Sequence, residues 1–283
     1  MKRQARWIVA ALAACTFVAA QAADMTPEQR REQMGKLGWV DGPTHAAIGD
    51  KADIDTPAQT RFLPERDGER FLELTGNLPE PGNSVLVGRH WWATFAFSPV
   101  GYVKDDEKLD ADALLKDIRS GDEPSNEERR KRGLPQLWTD GWFVPPHYDQ
   151  DTRRLEWGLR LRGEGSSEPV VNYTVRVLGR TGYESVVLVS APDTLDQDVK
   201  ELKAILKSFD FRSGEKYAEF KQGDRIAQFG LGALVVGGAA AIAVKTGFWK
   251  SLLVALAAGW KLVVGVCVAL FAGIAKLFKR KSP

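Results

Sequence analysis

Hydrophobic and polar positions alternate most clearly over residues 154–162, where Leu155, Trp157, Leu159 and Leu161 interleave with Glu156, Gly158, Arg160 and Arg162. A period of two with one apolar and one charged face predicts a half-buried antiparallel strand. Residues 170–178 repeat it, with Val171, Tyr173, Val175 and Val177 on one face, and residues 184–190 form a buried β-branched run. Turn residues at 163–167 and 179–183 join the three into a meander. Residues 84–87 and 91–97 predict two further strands, the second with apolar members on both faces and therefore central or well covered.

The period lengthens after Thr194, where Val199, Leu202, Ile205, Leu206 and Phe209 share one helical face behind a T-x-x-Q capping string. A second helix is predicted from Asp110 as N-cap, with Leu114, Leu115 and Ile118 inward, and a capping box at 125–128 opens a short charged helix over 127–132. Residues 67–75 also fit a helix, with Phe71, Leu72 and Leu74 inward, and Thr26 before Pro27 fits a helix start. These elements predict an α+β domain with a mostly antiparallel sheet packed by helices.

Both ends of the chain differ from this pattern. Residues 1–22 combine Lys2, Arg3 and Arg6, an apolar run and Ala20-Gln21-Ala22, which is the layout of a secretory signal. Leu12-Ala13-Ala14-Cys15 is a competing lipoprotein-like box that would acylate Cys15. Residues 23–212 then form the exported domain and 213–225 a charged stalk. Residues 226–244 are apolar over about the 20 residues that span a bilayer. Ala233, Gly237 and Ala241 recur there at i, i+4 and i+8, a small-residue stripe suited to self-association in lipid. A second membrane segment, 251–275, is spanning or re-entrant and carries Lys261 near its middle. A charge there costs about 2.5–3.5 kcal/mol, so the segment packs against the first span, lets Lys261 snorkel or lies in the interface, with a functional intramembrane lysine as the sharper reading.

Composition narrows the chemistry. The two cysteines, Cys15 and Cys267, fall in the end segments, so the exported domain has no disulfide, cysteine nucleophile or zinc–thiolate site. A formal net charge of +2 gives no nucleic-acid footprint. The acidic run 105–112 lacks the Gly and terminal Glu of a calcium loop, so no metal and no cofactor are expected. Residues 134–151 crowd Trp138, Trp142, Phe143 and Tyr148 around Pro145 and Pro146, which predicts a rigid connection or a binding lip made of Trp142, Pro145, Pro146, His147, Tyr148 and Asp149. His147 and Asp149 stand at i and i+2, on opposite faces of an extended segment, which disfavours an acid–base pair. Tyr102, Lys104, Asp105 and Asp106 form a second candidate polar cluster.

Gly101 to Asp106, Gly141-Trp142, Pro145-Pro146, Tyr148-Asp149, Leu155, Trp157, Asn172-Tyr173, Arg176 and Leu178-Gly179-Arg180 with Gly182 together resemble a bacterial family of uncharacterised, predicted membrane-anchored proteins, a domain of unknown function. The resemblance implies an exported domain on a C-terminal membrane anchor and assigns no activity. The order of strands, closing helix and residues 205–211 is also loosely similar to the PsbP/Mog1-like sandwich.

Three functions remain in competition. The first is a membrane-anchored binding or interaction module of the cell envelope, on the periplasmic side, with an envelope protein or a second copy as partner. The second is an envelope hydrolase built from His90, His147, Asp149, Asp105 or Asp106, although no G-x-S-x-G, H-E-x-x-H or phosphate loop is present. The third is a membrane assembly or transport accessory acting through the C-terminal segments and Lys261. Without a recognised catalytic motif, the balance falls against an enzyme.

Overall fold

The computed structural model describes residues 25–167 and 169–237. The signal, Cys15, the second membrane segment and Lys261 lie outside the described residues. The described chain opens with α1 (Pro27–Gly35), capped by Thr26, whose side chain accepts from the Gln29 amide while the Gln29 side chain accepts from the Thr26 amide. Then come β1 (Val40–Asp41), β2 (Thr44–Ile48), β3 (Ala52–Thr56), β4 (Arg61–Leu63), α2 (Glu65–Leu74), β5 (Ser84–Val87) and β6 (Trp92–Ser98). Two helices follow, α3 (Ala111–Ser120) and α4 (Asp122–Lys131). The long strand β7 (Leu137–Asp149) leads into β8 (Arg154–Gly163), β9 (Val170–Leu178) and β10 (Tyr183–Ser190), then α5 (Leu195–Leu206) and β11 (Asp210–Phe211). A 3-10 turn (Tyr217–Glu219) and the short α6 (Leu231–Val235) close it.

Eight strands form one antiparallel sheet in the order β1-β4-β5-β6-β10-β9-β8-β7, and β11-β3-β2 form a second, smaller sheet. The expected meander is β8-β9-β10. Both faces of the large sheet are covered. Val171, Tyr173, Val175 and Val177 pack with Phe95, the small sheet's Ile48 and Ile54, and Leu202 and Leu206 of α5. Leu155, Trp157, Leu178 and Tyr183 face the other way, against Val103, Leu114 and the end of the described chain. Glu156, expected on a charged outer face of β8, therefore sits inside the α5 layer. Its carboxylate accepts the Tyr173 hydroxyl at 2.5 Å and pairs with Lys203 at 2.5 Å.

The sequence pattern misplaces one helix start, and at another that it places correctly the side-chain cap does not form. Helix α4 begins at Asp122, so Ser125 lies inside it and no capping box forms at 125–128. Asp122 and Asn126, one turn apart, are instead turned to the free edge of β7. Asn126 is fully buried, donating to the Leu137 carbonyl and accepting its amide, while Asp122 accepts the Thr139 amide and hydroxyl. The helix thus supplies the hydrogen bonds of a missing neighbour strand, which blocks further edge pairing. At α5 the Thr194 side chain makes no cap hydrogen bond, and Ser190 donates to the buried Asp198.

The charged stretch 213–225 is not a free stalk. Arg180 grips Asp224 through two hydrogen bonds of 2.7 Å, Tyr217 is buried with its hydroxyl on the Val103 carbonyl, and Tyr102 stacks on Tyr217 at 4.4 Å. Tyr102 and Ile226 form a parallel bridge, and Glu107 accepts the Gly232 amide. The first part of the expected span then packs into the domain, with Leu231, Leu234 and Val235 buried against Val103 and Trp157. Gly237 has φ +107°, which ends helical geometry, so α6 does not carry Ala233 and Gly237 on a continuous stripe, and Ala241 lies outside the described residues. No helix among the described residues is long and apolar enough to cross a membrane.

One glycine fixes a wall that matters below. A Cβ on Gly68 of α2 would stand 1.7 Å from the Asn83 carbonyl oxygen, so only glycine lets the 77–83 turn lie against the helix. Gly68→Ala should therefore lower stability by about 1–3 kcal/mol in chemical denaturation. Gly35→Ala, where a Cβ meets nothing within 4 Å, should not destabilise. Equal effects of the two changes would contradict this packing.

Candidate functional site

The lip residues are divided by the pleat of β7. Pro145 and Pro146 fall in an irregularity between Val144 and His147, where an edge strand tolerates missing donors. Trp142 and Tyr148 are half-buried on one face, with the Trp142 indole donating to the Ala111 carbonyl at 3.0 Å. Phe143 packs with the opposite core, and His147 sits across from Glu156 with Nε2 and Oε2 3.7 Å apart. No contiguous aromatic lip results, because alternate residues of an extended strand face apart.

Two of the separately chosen residues do meet. Tyr148 donates to Asp105 at 2.8 Å, and Arg153 pairs with the same oxygen at 2.5 Å while lying over the Tyr217 ring. Burial raises the Asp105 pKa, but the hydroxyls of Tyr148 and Tyr217 and the Arg153 guanidinium outweigh it and hold the carboxyl below its usual value. Burial first, and then the Asp105 contact, push the Tyr148 phenol up. This node ties the β7–β8 turn to the C-terminal strap. Lys104 and Asp106 stay exposed, and Asp149 caps its own turn by accepting the Asp151 and Thr152 amides.

The histidines do not converge. His90 precedes β6 and His147 lies on β7, with three strands between those two. Four strand spacings of about 4.8 Å separate them by roughly 19 Å. The hydrolase reading that joins them fails on that distance.

The structure also shows a site that the sequence pattern did not single out. Strand β5 stops pairing at Ser84, opposite Phe95, while β6 continues to Ser98. Pro79 and Pro81 in the preceding turn keep β5 from extending. The gap opens a cleft of about 770 Å³ between the β2–β3 turn, the start of α2 and the end of β6. Glu184 lies in its lining, fully buried, with both carboxyl oxygens lacking a partner among the described residues. Its neighbour in register is Val177, so Arg176, paired with Ser185, is directed to the other face, between Trp157 and Tyr183. Burial, reinforced by Glu65 and only partly offset by Arg176, pushes the Glu184 pKa up to about 8. The sequence signal was a carboxylate at the head of an otherwise buried β-branched run. Among the described residues no group of three or more His, Cys, Asp or Glu side chains is arranged to hold a metal ion.

The fold and these sites define an antiparallel α+β sandwich without a convergent catalytic cluster among its described residues. The chain belongs to the family described as Protein of unknown function (DUF2167), whose model matches residues 40–271. No curated protein matches it. Among solved structures it is similar to cyanobacterial PsbP (CyanoP) from Synechocystis sp. PCC 6803, at 13% identity and TM-score 0.36, over 63% of this chain and 99% of that one. It is also similar to the Saccharomyces cerevisiae Ran-binding protein Mog1p, at 9% identity and TM-score 0.35, over 64% of this chain and 100% of that one. At those scores neither likeness bears on function.

A carboxyl whose pKa is higher in the fold than in the unfolded chain costs stability as pH rises between the two values. For Glu184 that window runs from the ordinary 4.5 to about 8. The stability advantage of Glu184→Gln over the parent should grow by about 1.4 kcal/mol per pH unit across it. Denaturation at several pH values checks this, and a pH-independent difference would contradict a buried, neutral Glu184.

Proposed function

We propose that the chain is a membrane-anchored, extracytoplasmic binding module of the bacterial cell envelope, with its ligand seat in the Glu184 cleft. One observation carries this reading: Glu184 is buried in the wall of that cleft with no hydrogen-bond partner among the described residues. A buried polar group without a partner is costly, and a ligand that satisfies it recovers that cost. Two of the candidate hydrolytic groups, Asp105 and Asp149, are committed elsewhere. Asp105 holds Tyr148 and Arg153, and Asp149 caps a turn. The signal-like residues 1–22 and the apolar C-terminal stretch support export and anchoring. The strap of residues 213–235 is docked on the domain through Arg180–Asp224 and the Gly232 amide on Glu107. An envelope protein or a second copy remains part of this proposal as partner.

Photo-cross-linking in living cells tests it. A photo-reactive residue at Pro81, on the cleft rim, should yield a discrete adduct by mass, and one at the exposed Lys116 of α3 should not. External protease added to spheroplasts should then remove the domain and its adduct. Equal labelling at both positions, or none at either, would contradict the binding role. Protection from protease would contradict the extracytoplasmic side.

A further inference from the structure

The cleft's charges are unequally committed. Lys51 pairs with Glu215 at 2.6 Å and Arg66 with Asp67 at 3.3 Å, so both of its cations are already engaged by carboxylates. Glu65, Glu80 and Glu184 reach the same cleft, and none of their carboxyl groups has a hydrogen bond or ion pair in the described protein. Glu65 stands close enough to Glu184 to raise its pKa, and Glu80 acts likewise on Arg176. The unmet demand in the cleft is therefore for positive charge. Metal is the less suited source, since these carboxyls do not close into a metal-binding group. The walls favour an organic cation instead. Phe95 and Phe97 of β6 line the cleft, with Pro64 and Pro99 beside them, and aromatic and apolar surface suits an aliphatic stem below a charged head.

We propose that this cleft binds a primary ammonium group carried on an aliphatic stem, with Glu184 as its buried counter-ion and Glu65 and Glu80 at its mouth. The inference rests on the binding role proposed above and names the ligand's chemistry. The head group is either that of a small alkyl amine or that of a lysine side chain on a peptide.

Binding carries a proton balance. Glu184 is largely protonated at neutral pH, so pairing with R–NH3+ releases the carboxyl proton to solvent and leaves the ammonium–carboxylate pair. The charged groups around it are Glu65 and Arg66 from α2, Glu80 from the turn before β5, Asp50 and Lys51 from the β2–β3 turn, and Arg176 across the sheet. With the two cleft cations already paired, Glu184 is the group whose ionisation sets the pH response. Affinity should rise about tenfold per pH unit from pH 6 towards 8, and level off above it.

Calorimetric titration of the full chain in detergent with 1,5-diaminopentane tests this, run at pH 6, 7 and 8 and in two buffers of different ionisation enthalpy. The expected result is saturable binding that tightens with pH, with about one proton released at pH 7. Glu184→Gln, which keeps the side chain's shape, should weaken binding at least about tenfold and abolish the proton release. Glu65→Gln, at the exposed mouth, should weaken it several-fold without touching the core. A parallel titration with an Nα-acetylated lysine amide peptide separates the sources: binding of the peptide but not the diamine assigns the ammonium to a peptide. Failure of both probes to bind, or binding unchanged in Glu184→Gln, overturns the proposal. If the Pro81 cross-link still forms in that case, the cleft binds something other than an ammonium and only the ligand class falls. If the cross-link is absent too, the binding role falls with it.

Discussion

An eight-stranded sheet that is apolar on both sides has to be covered twice, and the rest of this molecule follows from that requirement. One cover is the small sheet with α5, which meets Tyr173, Val175 and Leu188. The other is assembled from α3, the segment around Val103 and the C-terminal strap ending in Leu231, Leu234 and Val235. The second cover contains little regular structure of its own. It is held at its margins by polar contacts of Arg180 on Asp224 and of Asp105 on Tyr148 and Arg153, and by the stacking of Tyr102 on Tyr217. Guanidinium–carboxylate forks and charge-assisted contacts of this kind fix geometry as well as energy.

The cleft lies where one edge of the cover stops. Strand β6 outruns β5 by the three residues after Phe95, and the proline-bearing turn before β5 lies against α2 at Gly68. Strand register then decides which side chain is left in the opening. Glu184 and Arg176 are near neighbours in sequence space of the sheet, yet their offset of one residue sends them to opposite faces. The contrast with Glu156 is instructive. That carboxylate is also buried between sheet and α5, but the Tyr173 hydroxyl and Lys203 ammonium satisfy it. Two buried glutamates on one face thus differ in whether the described residues supply their partners, and the unsupplied one lies in the wall of a cleft of ligand size.

Much of the sheet was legible in the sequence because strands with a covered face must alternate strictly. Strand β9 has the predicted bounds, and the Thr26 and Asp110 caps form as short-range chemistry dictates. The strap was not legible, because leucine, valine and alanine look alike whether they meet lipid or a protein core. Tyr217 and Phe220, placed within the charged run 213–225, were the clue that it has something to pack against. The Asp105–Tyr148 contact joins residues 43 positions apart and depends on strand order, which periodicity does not encode. The β7 lip failed for a local reason, since an extended strand divides adjacent aromatics between its faces. Glu184 was visible as a charge at the edge of a buried run, but its isolation depends on where β5 ends.

The central claim is that Glu184 is a neutral acid buried in the wall of a cleft and unpartnered among the described residues. Its carboxyl carbon can be followed by NMR in the full chain labelled at glutamate, with the resonance assigned by its loss in Glu184→Gln. A titration midpoint near 8 is the result this structure predicts. Ionisation in the ordinary range near 4.5 would mean that the carboxyl is solvated or paired, and would contradict the account.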